Sequence, residues 1–322
     1  AKCRAIDVFR PTGWGRGSRV GQDDPVRDTP YARVDVAILE QNLARMAAHA
    51  AARGIALRPH AKTHKSPDIA ARQLAHGAVG LTVATVAEAE VFAAHGFNDL
   101  FIAYPLWLDG PRVARFAALL TRGVRVRVGV DSLDGVRMLA AATTGVDRSR
   151  LAIAVEVDSG HHRSGIDPSG AGALALAAQE AGLAVDGLFT FPGHSYTPDG
   201  MAAAARDERD ALRAARDSLI AAGIACPVVS GGSTPTVLTT EAAMIAAETD
   251  DLLTELRPGV YALGDAQQWE LGVCEPASIA FGVVATIVSR REGDDGSARL
   301  IVDGGSKALA SDRAPWATGF GR

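Results

Sequence analysis

The chain has 322 residues, 48% of them apolar, and a formal net charge of −4 at pH 7. That length allows one large barrel with or without a smaller partner, and that apolar share excludes wholesale disorder. Mixed charge near neutrality gives no basis for a nucleic-acid or anionic-membrane partner. The scattered Cys3, Cys226 and Cys274 form neither a CxxC pair nor a disulfide framework, which reads as a reducing cytoplasm.

Residues 1–28 begin at Ala1 and carry Arg4, Arg10, Arg16 and Arg19 among Gly13, Gly15 and Gly17, with no apolar signal-peptide core. They read as an irregular leader. No later stretch approaches the ~20 apolar residues that a spanning helix needs. From residue 29 to 272, short apolar runs alternate with Ala-rich helical stretches. Val36, Leu39, Leu43, Met46, Ala47 and Ala50 recur at helical spacing. A strand over 55–60 is stopped by Pro59; Pro67 opens a helix, where its missing N–H costs nothing, and Gly77 closes it. Further strands are predicted near 79–83, 99–103, 124–130, 151–157, 185–191 and 227–229, and an eighth over 257–263. Helices are predicted near 86–94, 111–120, 133–142, 170–181 and 199–222.

Such alternation means parallel βα units. About eight of them in about 240 residues fit a closed (β/α)8 TIM-type barrel better than an open doubly wound sheet. After Gly272 the pattern changes. Residues 277–289 and 298–302, either side of a charged turn at 290–296, read as a hairpin opening a β-rich domain over 273–322. Two or three strands bury no core alone, so this part either packs on the barrel or is incomplete.

In such barrels the chemistry sits at the C-terminal ends of the strands, and polar groups follow each predicted strand. They are His60, Lys62 and His64; then Thr85, Tyr104 and Asp131; then VDSGHHRSG at 157–165, FPGHSY at 191–196 and SGGSTPT at 230–236; then Tyr261 and Asp265. In the SGGSTPT stretch, Gly231 and Gly232 let the backbone approach a ligand and Ser233, Thr234 and Thr236 add hydroxyls. N–H groups ahead of a helix cradle a phosphate. An ordinary Gly-Ser turn looks the same in isolation, and the place after the seventh strand is what favours phosphate. Lys62 could be a solvated loop lysine. It follows an apolar strand directly, however, between His60 and His64, and partial burial there lowers its pKa toward nucleophilicity. His60, His64, His161, His162 and His194 show no HxH or HExxH metal spacing. Cys226 and Cys274 read as packed side chains.

With these residues in view, the chain resembles the D-threonine aldolase and D-serine dehydratase family, pyridoxal 5′-phosphate enzymes that share the alanine racemase-type barrel (fold type III). The matching segments are 58–65, 80–90, 157–165, 190–196, 230–236, 255–268 and 300–319. The resemblance implies pyridoxal 5′-phosphate bound to Lys62 as a Schiff base, Lys62 as the base at Cα, and His60 as its catalytic neighbour. It implies that Arg163 faces the cofactor's phenolic oxygen and that Gly231, Gly232, Ser233 and Thr234 hold the phosphate. His194, Ser195 and Tyr196 would line the ring, with Tyr196 near the pyridine nitrogen, and Tyr261 and Asp265 would close the site. This chain has Phe191 where related sequences carry a tyrosine.

Family members continue into a β-domain with a His-x-Cys or His-x-Asp metal motif, whereas no histidine follows His194 here. The chain therefore resembles a truncated member. A divalent manganese or zinc ion is expected in the intact protein, with no ligands in this chain. The implied activity is retro-aldol cleavage of a D-β-hydroxy amino acid to glycine and an aldehyde. Dehydration of D-serine to pyruvate and ammonia is the alternative. A racemase would need a further tyrosine, which residues 277–322 lack. A non-catalytic cofactor-binding barrel would lack the β-rich segment. A homodimer acting on a small D-amino acid is expected.

Overall fold

The computed structural model describes residues 28–238, 252–293, 297–305 and 313–319, with the backbone of residues 8 and 9. In chain order the strands are β1 (Val8–Phe9), β2 (Tyr31–Asp35), β3 (Ala56–Leu57), β4 (Leu81–Val83), β5 (Asp99–Pro105), β6 (Arg125–Val130) and β7 (Leu151–Glu156). They continue as β8 (Ala184–Phe189), β9 (Val228–Gly231), β10 (Glu255–Leu256), β11 (Phe281–Val284), β12 (Ile287–Glu292) and β13 (Ala298–Val302). The helices are α1 (Val36–Ala52), α2 (Pro67–Ala75), α3 (Val86–Ala94), α4 (Pro111–Thr121), α5 (Leu133–Ala142), α6 (Ala171–Glu180), α7 (Met201–Ala221), α8 (Thr234–Leu238) and α9 (Ala266–Glu270). Two compact units result: Leu43–Tyr261, and the two chain ends together, Ala1–Asn42 with Ala262–Arg322.

In the larger unit, eight parallel strands run in the order β3-β10-β9-β8-β7-β6-β5-β4. Val79 N–H donates to Leu57 O (2.9 Å) and Thr82 N–H to Pro59 O (2.8 Å), and a parallel bridge joins His60 to Thr82. These bonds tie the end of β3 to β4 and close the ring, giving the (β/α)8 barrel. Residues just past the strands cap the helices that follow. Ser66 accepts from Ile69 N–H, Thr85 from Glu88 N–H and Ser132 from Gly135 N–H, each satisfying an orphan donor of a first turn.

The barrel interior is layered. Asp99 and Asp186, at or near the starts of β5 and β8, mark its N-terminal end. There Arg58 Nη1 donates to Asp99 Oδ1 (2.6 Å) and Arg127 Nε to Asp186 Oδ2 (2.7 Å). Both arginines also reach Glu255: Arg58 Nε to Oε2 at 2.7 Å and Arg127 Nη1 to Oε1 at 2.9 Å. Phe101, Ala103, Ala154 and Phe189 form an apolar cluster, with the two phenyl rings edge to face at 5.0 Å. Charge thus plugs one end of the barrel, and the C-terminal end is left for a site.

The eighth strand differs from the expected one. It is β10, ahead of Arg257, and Val260–Ala262 form a 3-10 turn. The ladder ends as Arg257 N–H donates to Gly231 O (2.9 Å), because Pro258 has no N–H to continue it. In the smaller unit, β2, which the periodicity did not suggest, pairs parallel with β1 and antiparallel with β11. The expected strand over 277–289 is broken into a 3-10 turn (Pro276–Ser278), β11 and the start of β12. The hairpin is β12 with β13, antiparallel, and its ladder runs to Glu292. Residues 294–296 of the expected charged turn lie outside the described residues, as do 1–7 and 10–27 of the expected leader. Among the described residues no helix is long and apolar enough to cross a membrane.

Candidate active site

Lys62 sits in the 3-10 turn Ala61–Thr63 that follows β3. The turn is fixed from inside: buried His60 accepts from Lys62 N–H through Nδ1 (3.4 Å), and Thr63 Oγ1 donates to His60 O (3.1 Å). His64 Nδ1 accepts from Ser66 N–H (3.1 Å). Burial pushes His60 well below its ordinary pKa and His64 down to about 4. Both are therefore uncharged at neutral pH, and both shape the turn. The Lys62 side chain opens to solvent, with Nζ 4.9 Å from the centroid of the Phe191 ring. Among the described residues Nζ has neither a hydrogen-bond acceptor nor an ion-pair partner. Loss of water around the amine, then the like charges of Arg163 and Arg257, lower its pKa to about 8 against a weaker pull from Glu88.

Arg163 lies in the loop after β7. Its guanidinium stands over two rings, Tyr104 at 5.4 Å and Phe191 at 5.3 Å. Phe191 is thus the common platform of Lys62 and Arg163; Tyr196 lies against it at 6.3 Å and His161 meets it edge-on at 5.7 Å. The loop is pinned on either side of Arg163. Asp158 Oδ1 accepts from the N–H groups of Gly160 (2.9 Å) and His162 (3.0 Å). Ser164 Oγ donates to Glu156 Oε1 (2.8 Å), and Gly165 N–H to Asp131 Oδ2 (3.3 Å). Glu156 is buried, its Oε2 has no partner among the described residues, and burial raises its pKa to about 7. His194 Nε2 meets Asp207 (3.2 Å), while its buried Nδ1 has no partner among the described residues.

The stretch at 230–236 is a buried seat of hydroxyls. Ser233 Oγ contacts Ser195 Oγ (2.9 Å) and Thr236 Oγ1 (3.1 Å); Thr234 Oγ1 accepts from Tyr261 N–H (3.2 Å). Tyr261 Oη accepts from Gln73 Nε2 (3.2 Å), and burial raises the phenol's pKa. The glycines have an internal reason that the sequence did not reveal. Gly232 has φ +81°, and its N–H donates to Glu208 Oε1 at 2.6 Å. A Cβ on Gly231 would stand 2.6 Å from that same oxygen. Asp265 belongs to the other compact unit, where its carboxylate accepts from Gln268 N–H (2.7 Å) and caps α9.

Lys62, Arg163, Tyr196, Ser195, Ser233, Thr234 and Tyr261 are therefore linked contact by contact at one end of the barrel. The sequence profile of the alanine racemase N-terminal domain matches residues 34–267. The chain belongs to that family. Within it, the chain is 37% identical over 292 residues to D-threo-3-hydroxyaspartate dehydratase of Delftia sp. (strain HT23), covering 89% of this chain and 73% of that one. The solved structure of the Delftia enzyme superposes with a TM-score of 0.79 over 89% of this chain and 74% of that chain. Identity to D-threonine aldolase of Arthrobacter sp. is 33% over 301 residues, covering 89% and 74%.

Three residues of this family member's barrel were not singled out from sequence. Arg257 is buried, donating through Nε to Ser230 Oγ (2.9 Å) and through Nη2 to Thr190 O, with its guanidinium over Phe101 and Phe189. Its place ahead of Pro258 and Gly259 made it look like strand. Glu156 looked like the end of an apolar strand. Glu208 left a readable signal: it falls on the buried stripe Ala204, Leu212, Ala215 and Leu219 of α7, where a carboxylate has no packing reason to be.

Proposed function

We propose that this chain holds pyridoxal 5′-phosphate through Lys62 and is a lyase of D-β-hydroxy amino acids. The observation that carries the proposal is the Lys62 amine: solvent-accessible, without an acceptor among the described residues, and lowered to about 8 by loss of water and by the charges of Arg163 and Arg257. A structural lysine is paired and a surface lysine is fully hydrated, whereas an amine between those states is a nucleophile. The donors around it fit the cofactor's chemistry. Arg163 supplies a cation for the phenolic oxygen. Ser195, Ser233, Thr234 and Tyr261 supply hydroxyls that can turn to a phosphate. Phe191 and Tyr196 supply aromatic faces, and His194 Nδ1, without a partner among the described residues, leaves one polar atom for the ring side.

When bound, the cofactor supplies the electron sink that stabilises negative charge at the substrate Cα. The chain's own residues do the rest. Lys62, about half uncharged near pH 8, takes the Cα proton in dehydration, where the β-hydroxyl leaves. In retro-aldol cleavage it returns a proton to Cα after the β-hydroxyl has lost its own and the Cα–Cβ bond has broken. Arg163 orients through its two rings, and the His60 cap holds the lysine's backbone still. Dehydration is the first reading, because the Delftia dehydratase is more similar to this chain than the Arthrobacter aldolase. Retro-aldol cleavage is the second. In either reaction a divalent metal, if held, would supply a Lewis acid for the β-hydroxyl. Among the described residues no group of three or more His, Cys, Asp or Glu could hold one, so the assay supplies Mn²⁺ or Zn²⁺.

Purified protein is expected to be yellow and to be bleached by borohydride with the label on Lys62, and Lys62→Ala to be colourless. A wild type that takes up no added cofactor rejects the proposal. Incubation with D-threo-3-hydroxyaspartate, D-serine and D-threonine then separates the reactions: 2-oxo acid plus ammonia for dehydration, glycine plus an aldehyde for cleavage.

A further inference from the structure

Among the described residues, Glu208 is the carboxylate built into the hydroxyl seat. It is 2% exposed, on the apolar stripe of α7, and its Oε1 holds the Gly232 N–H at 2.6 Å. The same oxygen is the atom that a Cβ on Gly231 would strike. Both glycines of the seat are thereby fitted to Glu208, and Ser233 and Thr234, the hydroxyl residues assigned above to the phosphate, follow directly in the chain. We propose that Glu208 is the positioning residue of the phosphate seat, and that the seat takes a phosphate dianion together with one proton that Glu208 accepts from solvent. This rests on the cofactor reading given above and deepens it.

The physical reason is charge. A carboxylate behind the loop and a dianion in front of it repel across a medium that screens poorly. Protonation removes one of the charges and leaves the acceptor oxygen for Gly232 in place. Among the described residues, the charged groups facing Glu208 are Arg209 from its own helix and Arg257 from the turn after β10. The loop itself contributes no ionisable side chain. Burial outweighs the pull of the Gly232 N–H, the two arginines and the Thr236 hydroxyl, so Glu208 sits at about 7 before any ligand arrives. An arriving dianion raises it further. Binding is therefore tightest where Glu208 is already protonated and weakens as pH rises through 7.

The probe is pyridoxamine 5′-phosphate, which carries the same ring and phosphate but no aldehyde, so Lys62 condensation drops out. Its Kd is measured for wild type and Glu208→Gln from pH 6 to pH 8. Glutamine keeps the size and the acceptor oxygen but cannot take up a proton. The ratio of wild-type to variant Kd is expected to rise about tenfold over that range, one proton's worth. A ratio that stays flat overturns the proposal and leaves cofactor binding standing. Should Glu208→Gln not fold, calorimetry of Lys62→Ala at pH 7.5 in two buffers of different ionisation enthalpy reads the proton, with Lys62, which titrates at about 8, removed from the site. Net uptake supports the proposal, and zero uptake overturns it. A wild type unlabelled at Lys62 by the aldehyde cofactor and borohydride removes the cofactor reading and this one with it.

Discussion

Two cations lie over the ring of Phe191, Lys62 Nζ at 4.9 Å and the Arg163 guanidinium at 5.3 Å from its centroid. A ring can attract both, but the cations repel each other, and only the lysine can relieve the repulsion by losing its proton. Loss of water around the Lys62 amine is the larger cause of its pKa of about 8, and the repulsion from Arg163, then Arg257, adds to it. Arg163→Gln should raise the pH midpoint of Lys62's reaction with the aldehyde cofactor toward the ordinary lysine value, and Arg163→Lys should leave it low. Rates of borohydride-trapped labelling against pH measure it. An unmoved midpoint in Arg163→Gln would show that loss of water alone sets the value. The sequence suggested Lys62 and Arg163 through their strand-end positions. It could not show that Phe191 brings them together, since contact across a barrel mouth leaves no periodic trace.

At the scale of elements, β6 shows what period two conveys and what it hides. The run Val124, Arg125, Val126, Arg127, Val128 alternates as a strand with two distinct faces should. Its apolar face reads as packing against helices. The other face was illegible until Arg127 was seen reaching Glu255 (2.9 Å) and Asp186 (2.7 Å) inside the barrel. Arg58 and Ser230 complete the coordination of Glu255, at 2.7 and 2.8 Å, from strands distant in sequence. Burial would raise the Glu255 pKa, but the two arginines hold it below the usual carboxylate value. Removing the carboxylate leaves two guanidinium groups buried at the foot of the barrel without their shared partner. Glu255→Ala should accordingly cost about 3–5 kcal/mol, read as a lower urea midpoint with little change in slope. A loss under about 1 kcal/mol would mean that Asp99 and Asp186 suffice to neutralise the arginines.

For the whole molecule, the barrel was legible because alternating apolar runs and capped helices carry their own punctuation, and the ring of polar strand ends followed from it. What stayed hidden was buried charge inside that ring: Glu156, Glu208 and Arg257, each set in a stretch that otherwise reads as strand or helix. These groups link the barrel's stability to pH. Glu156 illustrates the sign. Its carboxyl is raised by burial to about 7 from an ordinary 4.5, so between those values the folded chain holds a proton that the unfolded chain has released. Stability then falls as pH rises across that window and stays lower above it. Glutamine at this position carries no such penalty. It also keeps an acceptor for Ser164 Oγ, which Glu156 Oε1 now receives at 2.8 Å. Glu156→Gln should therefore match wild type near pH 5 and exceed it at pH 8, by on the order of 2 kcal/mol, read as melting temperatures in parallel. A difference that is the same at both pH values would mean that Glu156 stays charged through the window, with Arg163 and Arg257 outweighing its burial.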